Sequence, residues 1–163
     1  MIAILTTGGT IEGMDYKTYQ TPAESHVHIE DHLNDIGNLP DYSIVPVFSK
    51  DSRFITEQDR EQLFEEILKA NTDNILITHG TYSMVQTAQY LAQKKLNKTI
   101  ILTGAFILGD RPDTDAKSNI EYAISQFKKV TRGIFIAIHN ETFHWDNVVK
   151  NEAIGKFERI TKW

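Results

Sequence analysis

Residues 74–92 read NILITHGTYSMVQTAQYLA. The first five form a short, unbroken run in which Ile75, Leu76 and Ile77 lead to Thr78, the composition expected of a strand buried on both faces of a parallel sheet. Further on, Met84, Val85, Ala88, Leu91 and Ala92 fall along one side at helical spacing. A small polar loop, with His79, Gly80 and Thr81, separates the two. Similar runs stand at 2–5, 44–48, 99–103 and 133–138. Helical stripes lie between them: Leu63, Phe64, Ile67 and Leu68 after a capping Thr56 with Asp59 three residues on, and Ile120, Ala123, Ile124 and Phe127. Strands alternating with helices predict an α/β fold with a single doubly wound, mostly parallel sheet, a three-layer sandwich of the Rossmann or flavodoxin type. Ligands in such sheets sit beyond the carboxyl ends of the strands, so the loops there carry most weight.

The bulk properties narrow the function. At 163 residues the chain suits one hydrophobic core, hence one domain over 1–163. A net charge of -5 supplies no basic face, so nucleic acid is not an expected partner. Cysteine is absent, which removes thiolate nucleophiles and Cys-ligated zinc. No run approaches the roughly 20 apolar residues of a membrane span, and the first residues lack the charged segment of a secretory signal. The expectation is a cytoplasmic protein away from membranes. The region 12–41 is too long for a simple strand-to-helix connection, so it carries either its own short helix or a functional lid.

Three strand ends share one character: TTGGTIEG at 6–13, THGTYSM at 78–84 and TGAF at 103–106. Paired glycines let a backbone bend until several N–H groups point at one spot, a nest for an anion or oxyanion. A threonine beside such a nest can attack a carbonyl while the nest holds the developing charge. Alternatively, TGGT is a plain tight turn in which Thr10 caps a helix. It matches neither a dinucleotide fingerprint nor a phosphate-binding loop.

These motifs, in this order, resemble the bacterial-type L-asparaginases. The likeness rests on TTGGTI at 6–11, on THGT at 78–81 followed by Thr87 and Ala88, and on TGA at 103–105 with Asp115, Ala116 and Asn119 downstream. Asp51-Ser52 followed by Ile55-Thr56 is similar to the family's substrate-binding loop, and 139–150 to the stretch that delivers its catalytic lysine. The resemblance covers nearly all of this sequence but only the family's N-terminal catalytic domain; the smaller C-terminal domain has no counterpart in it. It implies Thr10 as the nucleophile and Thr81 as a second threonine hydrogen-bonded to Lys150. A desolvated lysine there could accept the hydroxyl proton. Gly9, Asp51, Ser52, Gly80 and Tyr82 would bind substrate, Ser52 by contacting the substrate's carboxylate. The family's flexible-loop tyrosine is Tyr16 or Tyr19, and spacing does not choose. No metal or organic cofactor is implied.

One departure concerns the substrate. The family reads THGTD at the second loop and binds the substrate ammonium with that aspartate, whereas this chain has Tyr82. A neutral phenol makes no charge-assisted contact to an ammonium. The sequence therefore points to hydrolysis of the side-chain amide of asparagine, or of a related small amide without an α-amino group or differently substituted there. The partners implied are a small-molecule amide and further copies of the chain in a homo-oligomer, a dimer being plausible. Two other readings stay open: a binding module that keeps the pocket without turnover, and a subunit completed by another chain.

Other signals are set aside. His26, His28, Glu30 and His32 cluster, yet a polar helix face opposite Val27, Ile29 and Leu33 explains them without a metal. His79 is read as structural, His144, Trp145 and Asp146 as a rim or oligomer contact, and Arg111 and Asp113 as a surface turn at Pro112.

Overall fold

The computed structural model of the chain describes residues 1–14 and 27–160. In chain order they form β1 (Ile2–Thr6), α1 (Ile29–Leu33), β2 (Tyr42–Pro46), α2 (Glu57–Lys69), β3 (Asn74–Thr78), α3 (Met84–Gln93), β4 (Thr99–Thr103), α4 (Ala116–Gln126), β5 (Gly133–Ile138), β6 (Glu141–His144), β7 (Val149–Asn151) and β8 (Lys156–Glu158). Six strands make one sheet in the order β2-β1-β3-β4-β5-β6, and β7 with β8 makes a separate two-stranded sheet. All pairings in the large sheet are parallel except β5 with β6. This is the mostly parallel α/β architecture expected from the alternation of strands and helices.

Consecutive strand residues point to opposite faces, and each face has its own core. Leu5, Ile77, Leu102 and Ile136 pack with Leu63 and Ile67 of α2 and with Met84, Ala88 and Leu91 of α3. Ile4, Leu76, Ile101 and Ala137 pack with Ile29 and Leu33 of α1 and with Ile120 and Ala123 of α4. Thr56 caps α2 as its sequence implies: its Oγ1 accepts the Asp59 N–H at 3.2 Å, and Asp59 Oδ2 accepts the Thr56 N–H at 2.8 Å. Leu68 departs from the expected stripe and is 56% exposed, having turned off the buried face.

The second strand differs from its reading. It spans Tyr42–Pro46 rather than 44–48, because its ladder with β1 begins at the pair Ile2↔Tyr42. As an edge strand it is not buried on both faces. Three further strands had no sequence expectation. The turn from β5 to β6 uses His139 and Asn140 at φ of 50° and 59°, a tight hairpin in which two positive-φ residues match the twist of the strands. Of the two possibilities for 12–41, the short helix α1 is present, while the lid would fall on residues outside those described. Among the described residues no helix is long and apolar enough to cross a membrane.

Candidate active site

Strand β1 sends its connection to β2 on one side, and β3 lies on its other side, so the order reverses at β1. Crevices open at such points, beyond the carboxyl ends of the strands. A cleft of about 260 Å³ lies there, walled by Gly9, Thr10, Ser52, Gly80, Thr81 and Lys150 together with Met14, Asp51, Arg53, Tyr82, Ala105, Phe106, Glu152 and Gly155. It gathers nearly every described residue singled out as a candidate from the sequence.

The three glycine-bearing loops interlock around Gly80. A Cβ on Gly9 would lie 2.7 Å from the Gly80 amide nitrogen, one on Gly80 2.6 Å from Ser52 Oγ, and one on Gly104 2.4 Å from the His79 carbonyl oxygen. These distances leave no room for a side chain. Gly8 and Gly9 also sit at φ of 92° and 83°, a region L side chains rarely adopt. Thr7 Oγ1 adds a bond to the Thr78 carbonyl at 2.7 Å, tying the first loop to the end of β3.

Thr10 heads a short 3-10 turn, Thr10–Glu12, whose N-cap is Gly9 and which has no side-chain cap. The helix-capping alternative for Thr10 therefore fails; the residue, 6% exposed, belongs to the cleft wall. Of the N–H groups in this turn, that of Gly9 is directed at Met14 Sδ at 3.1 Å. Thr81 accepts a hydrogen bond from Lys150 Nζ at 3.1 Å. Lys150 reaches it from the small sheet: its side chain is 13% exposed, its ammonium lies 3.4 Å from Glu152 Oε1, and the ring of Phe106 lies 5.5 Å away. A solvated surface lysine is thus ruled out for Lys150.

Ser52 is buried. Its Oγ accepts the Ser83 N–H at 3.2 Å and its carbonyl accepts the Ser83 hydroxyl at 2.6 Å. Asp51 holds Arg53 in a fork, with Nε 3.2 Å from Oδ1 and Nη2 2.9 Å from Oδ2. Tyr82 stands at the mouth, 56% exposed. Asp115 organises the loop after β4, accepting the Phe106 and Ile107 N–H groups at 3.1 and 2.9 Å and Asn119 Nδ2 at 2.9 Å. Burial pushes its carboxyl up, but the Ile107 N–H, His139 and the Phe106 N–H outweigh this and hold it below the usual carboxylate range.

Tyr16, Tyr19 and His26 lie outside the described residues. His32 is not on a solvated face: it is buried, with Nε2 3.0 Å from the Ile11 carbonyl oxygen. His28 caps α1. His144 pairs with Asp146 at 2.5 Å, Arg111 with Asp113 at 3.2 Å, and none of these four lines the cleft. Met14, Arg53, Phe106 and Glu152 are wall residues the sequence reading did not select. Arg53 directly follows a motif that was read, and Phe106 ends the TGAF stretch at 103–106 without having been given a role; nothing in sequence marks Met14 or Glu152.

The family model described as "Asparaginase, N-terminal" matches residues 1–158. The chain is 31% identical over 147 residues to a glutamyl-tRNA(Gln) amidotransferase component of Methanococcus maripaludis strain C5, covering 86% of this chain and 35% of that protein. It is 28% identical over 169 residues to a probable periplasmic L-asparaginase of Haemophilus influenzae, covering 93% and 46%. A probable cytoplasmic L-asparaginase from Campylobacter jejuni has a similar structure, with TM-score 0.80 and 25% identity, covering 97% of this chain and 51% of that one. The chain thus spans about a third of the amidotransferase component and about half of the asparaginases.

Proposed function

Because the chain belongs to the asparaginase family, matching its N-terminal domain over residues 1–158, we propose that it hydrolyses the amide of a small molecule through a threonine nucleophile. The observation that carries this reading is the Lys150–Thr81 contact at 3.1 Å, in a cleft that Thr10 also lines. Thr10 Oγ bonds to the amide carbon, the C–N bond breaks, and the hydroxyl proton passes to the departing nitrogen through the Thr81 hydroxyl, which Lys150 holds in place by donating to it, so that ammonia leaves. Water then adds to the ester, releasing the acid and returning a proton to Thr10. Backbone N–H groups of the first glycine turn supply oxyanion stabilisation, which requires the Gly9 N–H to exchange Met14 for the substrate. This chemistry calls for no metal or organic cofactor.

The substrate follows from the charges around the cleft. Among the described wall residues the carboxylates are Asp51 and Glu152, and each faces a cation of the protein, Arg53 or Lys150. Tyr82 adds only a phenol. A substrate ammonium gains little here, so the preferred amide lacks an α-amino group. Ammonia release from L-asparagine, L-glutamine, D-asparagine and succinamate tests both points. Succinamate is expected to lead, and Tyr82→Asp is expected to raise kcat/KM on L-asparagine about 10-fold, the worth of one charge-assisted hydrogen bond, without helping succinamate. Equal use of L-asparagine and succinamate by the unsubstituted protein would refute the substrate assignment, and no release from any amide would refute the activity.

A homo-oligomer belongs to the same reading: Phe54, Tyr82 and Ile154, near the cleft mouth and on the adjacent β7–β8 turn, are 51%, 56% and 60% exposed. We propose a cytoplasmic location, in line with the description of the Campylobacter jejuni neighbour and against that of the periplasmic Haemophilus influenzae relative. The amidotransferase relatives support a second reading in which the nitrogen passes to an acceptor held by a partner chain. Co-purification of a second polypeptide, with ammonia release only in its presence, would favour it.

A further inference from the structure

His79 is fully buried directly behind the cleft, yet no step of the proposed reaction uses it. Both of its ring nitrogens are engaged: Nδ1 lies 2.7 Å from the Gly80 carbonyl oxygen and Nε2 2.8 Å from Thr87 Oγ1. Thr87 Oγ1 also accepts Arg60 Nε–H at 2.9 Å. The chemistry of these groups orders the protons. A guanidinium only donates and a carbonyl only accepts, so a neutral imidazole must carry its proton on Nδ1 to meet Gly80. Its Nε2 is then an acceptor, and the Thr87 hydroxyl donates to it. The bonds run one way, from Arg60 to Thr87 to His79 to Gly80.

We infer that Arg60, Thr87 and His79 form a directional hydrogen-bond relay that fixes the Gly80–Thr81 peptide and thereby presents Thr81 Oγ1 to the Lys150 donor. Gly80 is the point to hold, because the space around it is closed: a Cβ on Gly9 would fall 2.7 Å from its amide nitrogen, and a Cβ on Gly80 itself 2.6 Å from Ser52 Oγ. The adjoining His79 N–H is tied to the Thr103 carbonyl at 2.9 Å, so the ring bond to the Gly80 carbonyl anchors the same stretch of backbone at a second point. Proton placement on the other ring nitrogen would set two lone pairs against each other at the Gly80 contact and turn the peptide. His79, Thr87 and Arg60 are positioning residues; among them none lines the cleft. Burial, and secondarily the Arg60 charge, keep the imidazole neutral, which preserves the relay.

The inference rests on the proposed activity for its kinetic readout only. Nitrogen-15 imidazole spectra of the unsubstituted protein at pH 7 should show His79 protonated at Nδ1 and bare at Nε2. Thr87→Val keeps the shape of the side chain and removes the hydroxyl; it should lower kcat about 10-fold with KM nearly unchanged, as a small misplacement of a catalytic group does. Thr87→Ser restores the hydroxyl and should recover most of that loss, a rescue that a packing role for the lost methyl would not give. A ring protonated at Nε2, or Thr87→Val with unchanged kcat, overturns the relay. Should the protein release no ammonia, the proposed activity falls and the tautomer alone decides this inference.

Discussion

Thr10→Ala is expected to abolish ammonia release, lowering kcat on the best amide on the order of 10⁴-fold, while the protein stays folded. Removing a covalent nucleophile leaves only binding and oxyanion stabilisation, and losses of that size are typical. The substitution is gentle to the fold. Thr10 is held by its backbone, whose carbonyl accepts the Gly13 and Gly109 N–H groups at 2.9 Å each, and the side chain caps no helix. An unchanged thermal midpoint beside lost turnover is the expected pair of results. Thr10→Ser keeps a hydroxyl and should retain measurable turnover. Turnover in Thr10→Ala within 10-fold of the unsubstituted rate would remove Thr10 from the nucleophile role and leave Thr81 as the candidate.

Acid is expected to weaken this protein through His79 before its carboxylates are protonated. Burial, opposed in part by the Gly80 carbonyl and reinforced by Arg60, lowers the His79 imidazole from 6.5 to about 4. Between those values the unfolded chain takes up a proton at this site and the native protein does not. Stability therefore falls as pH drops from about 6.5 to about 4, by about 3 kcal/mol in all, and the contribution is level on either side of the window. Below it, the depressed carboxyls of Asp59 and Asp115 begin to lose their contribution as they are protonated. Urea unfolding at pH 7, 6, 5 and 4.5, set beside His79→Gln, isolates the effect. The amide does not titrate, so its curve should be flatter over this window, whatever the absolute cost of the substitution. Parallel curves would show that His79 is not the group responsible.

The fold was legible because its signals are local. Each of the runs at 75–77 and 100–102 is apolar without a break, and in a parallel sheet covered by helices both faces of such a strand are buried. Helices α2, α3 and α4 announced themselves by residues such as Leu63 and Ile67 or Ala88 and Leu91, three or four apart. Strands β7 and β8 are three residues each and Lys150 sits between Val149 and Asn151, a segment without a usable period. What docks that hairpin on the rest of the fold is not local: Phe157, cross-strand from Lys150, packs edge-on to Phe106 from the loop after β4, with ring centroids 6.0 Å apart.

The sequence by itself determined the alternation of strand and helix, hence the α/β sheet. It also placed threonine and glycine at three strand ends, where a doubly wound topology must put them on one rim. Backbone geometry enforces that convergence, since parallel strands all point their carboxyl ends the same way. Only the tertiary structure decided which groups touch. It brought Lys150 to Thr81 across 69 positions of chain, turned the Gly9 N–H to a methionine sulfur, and buried His79 behind Gly80 with Thr87 and Arg60 in line. Such contacts join residues far apart in sequence whose side chains are ordinary in type. Their meaning arises from burial and hydrogen-bond direction, which no local pattern encodes.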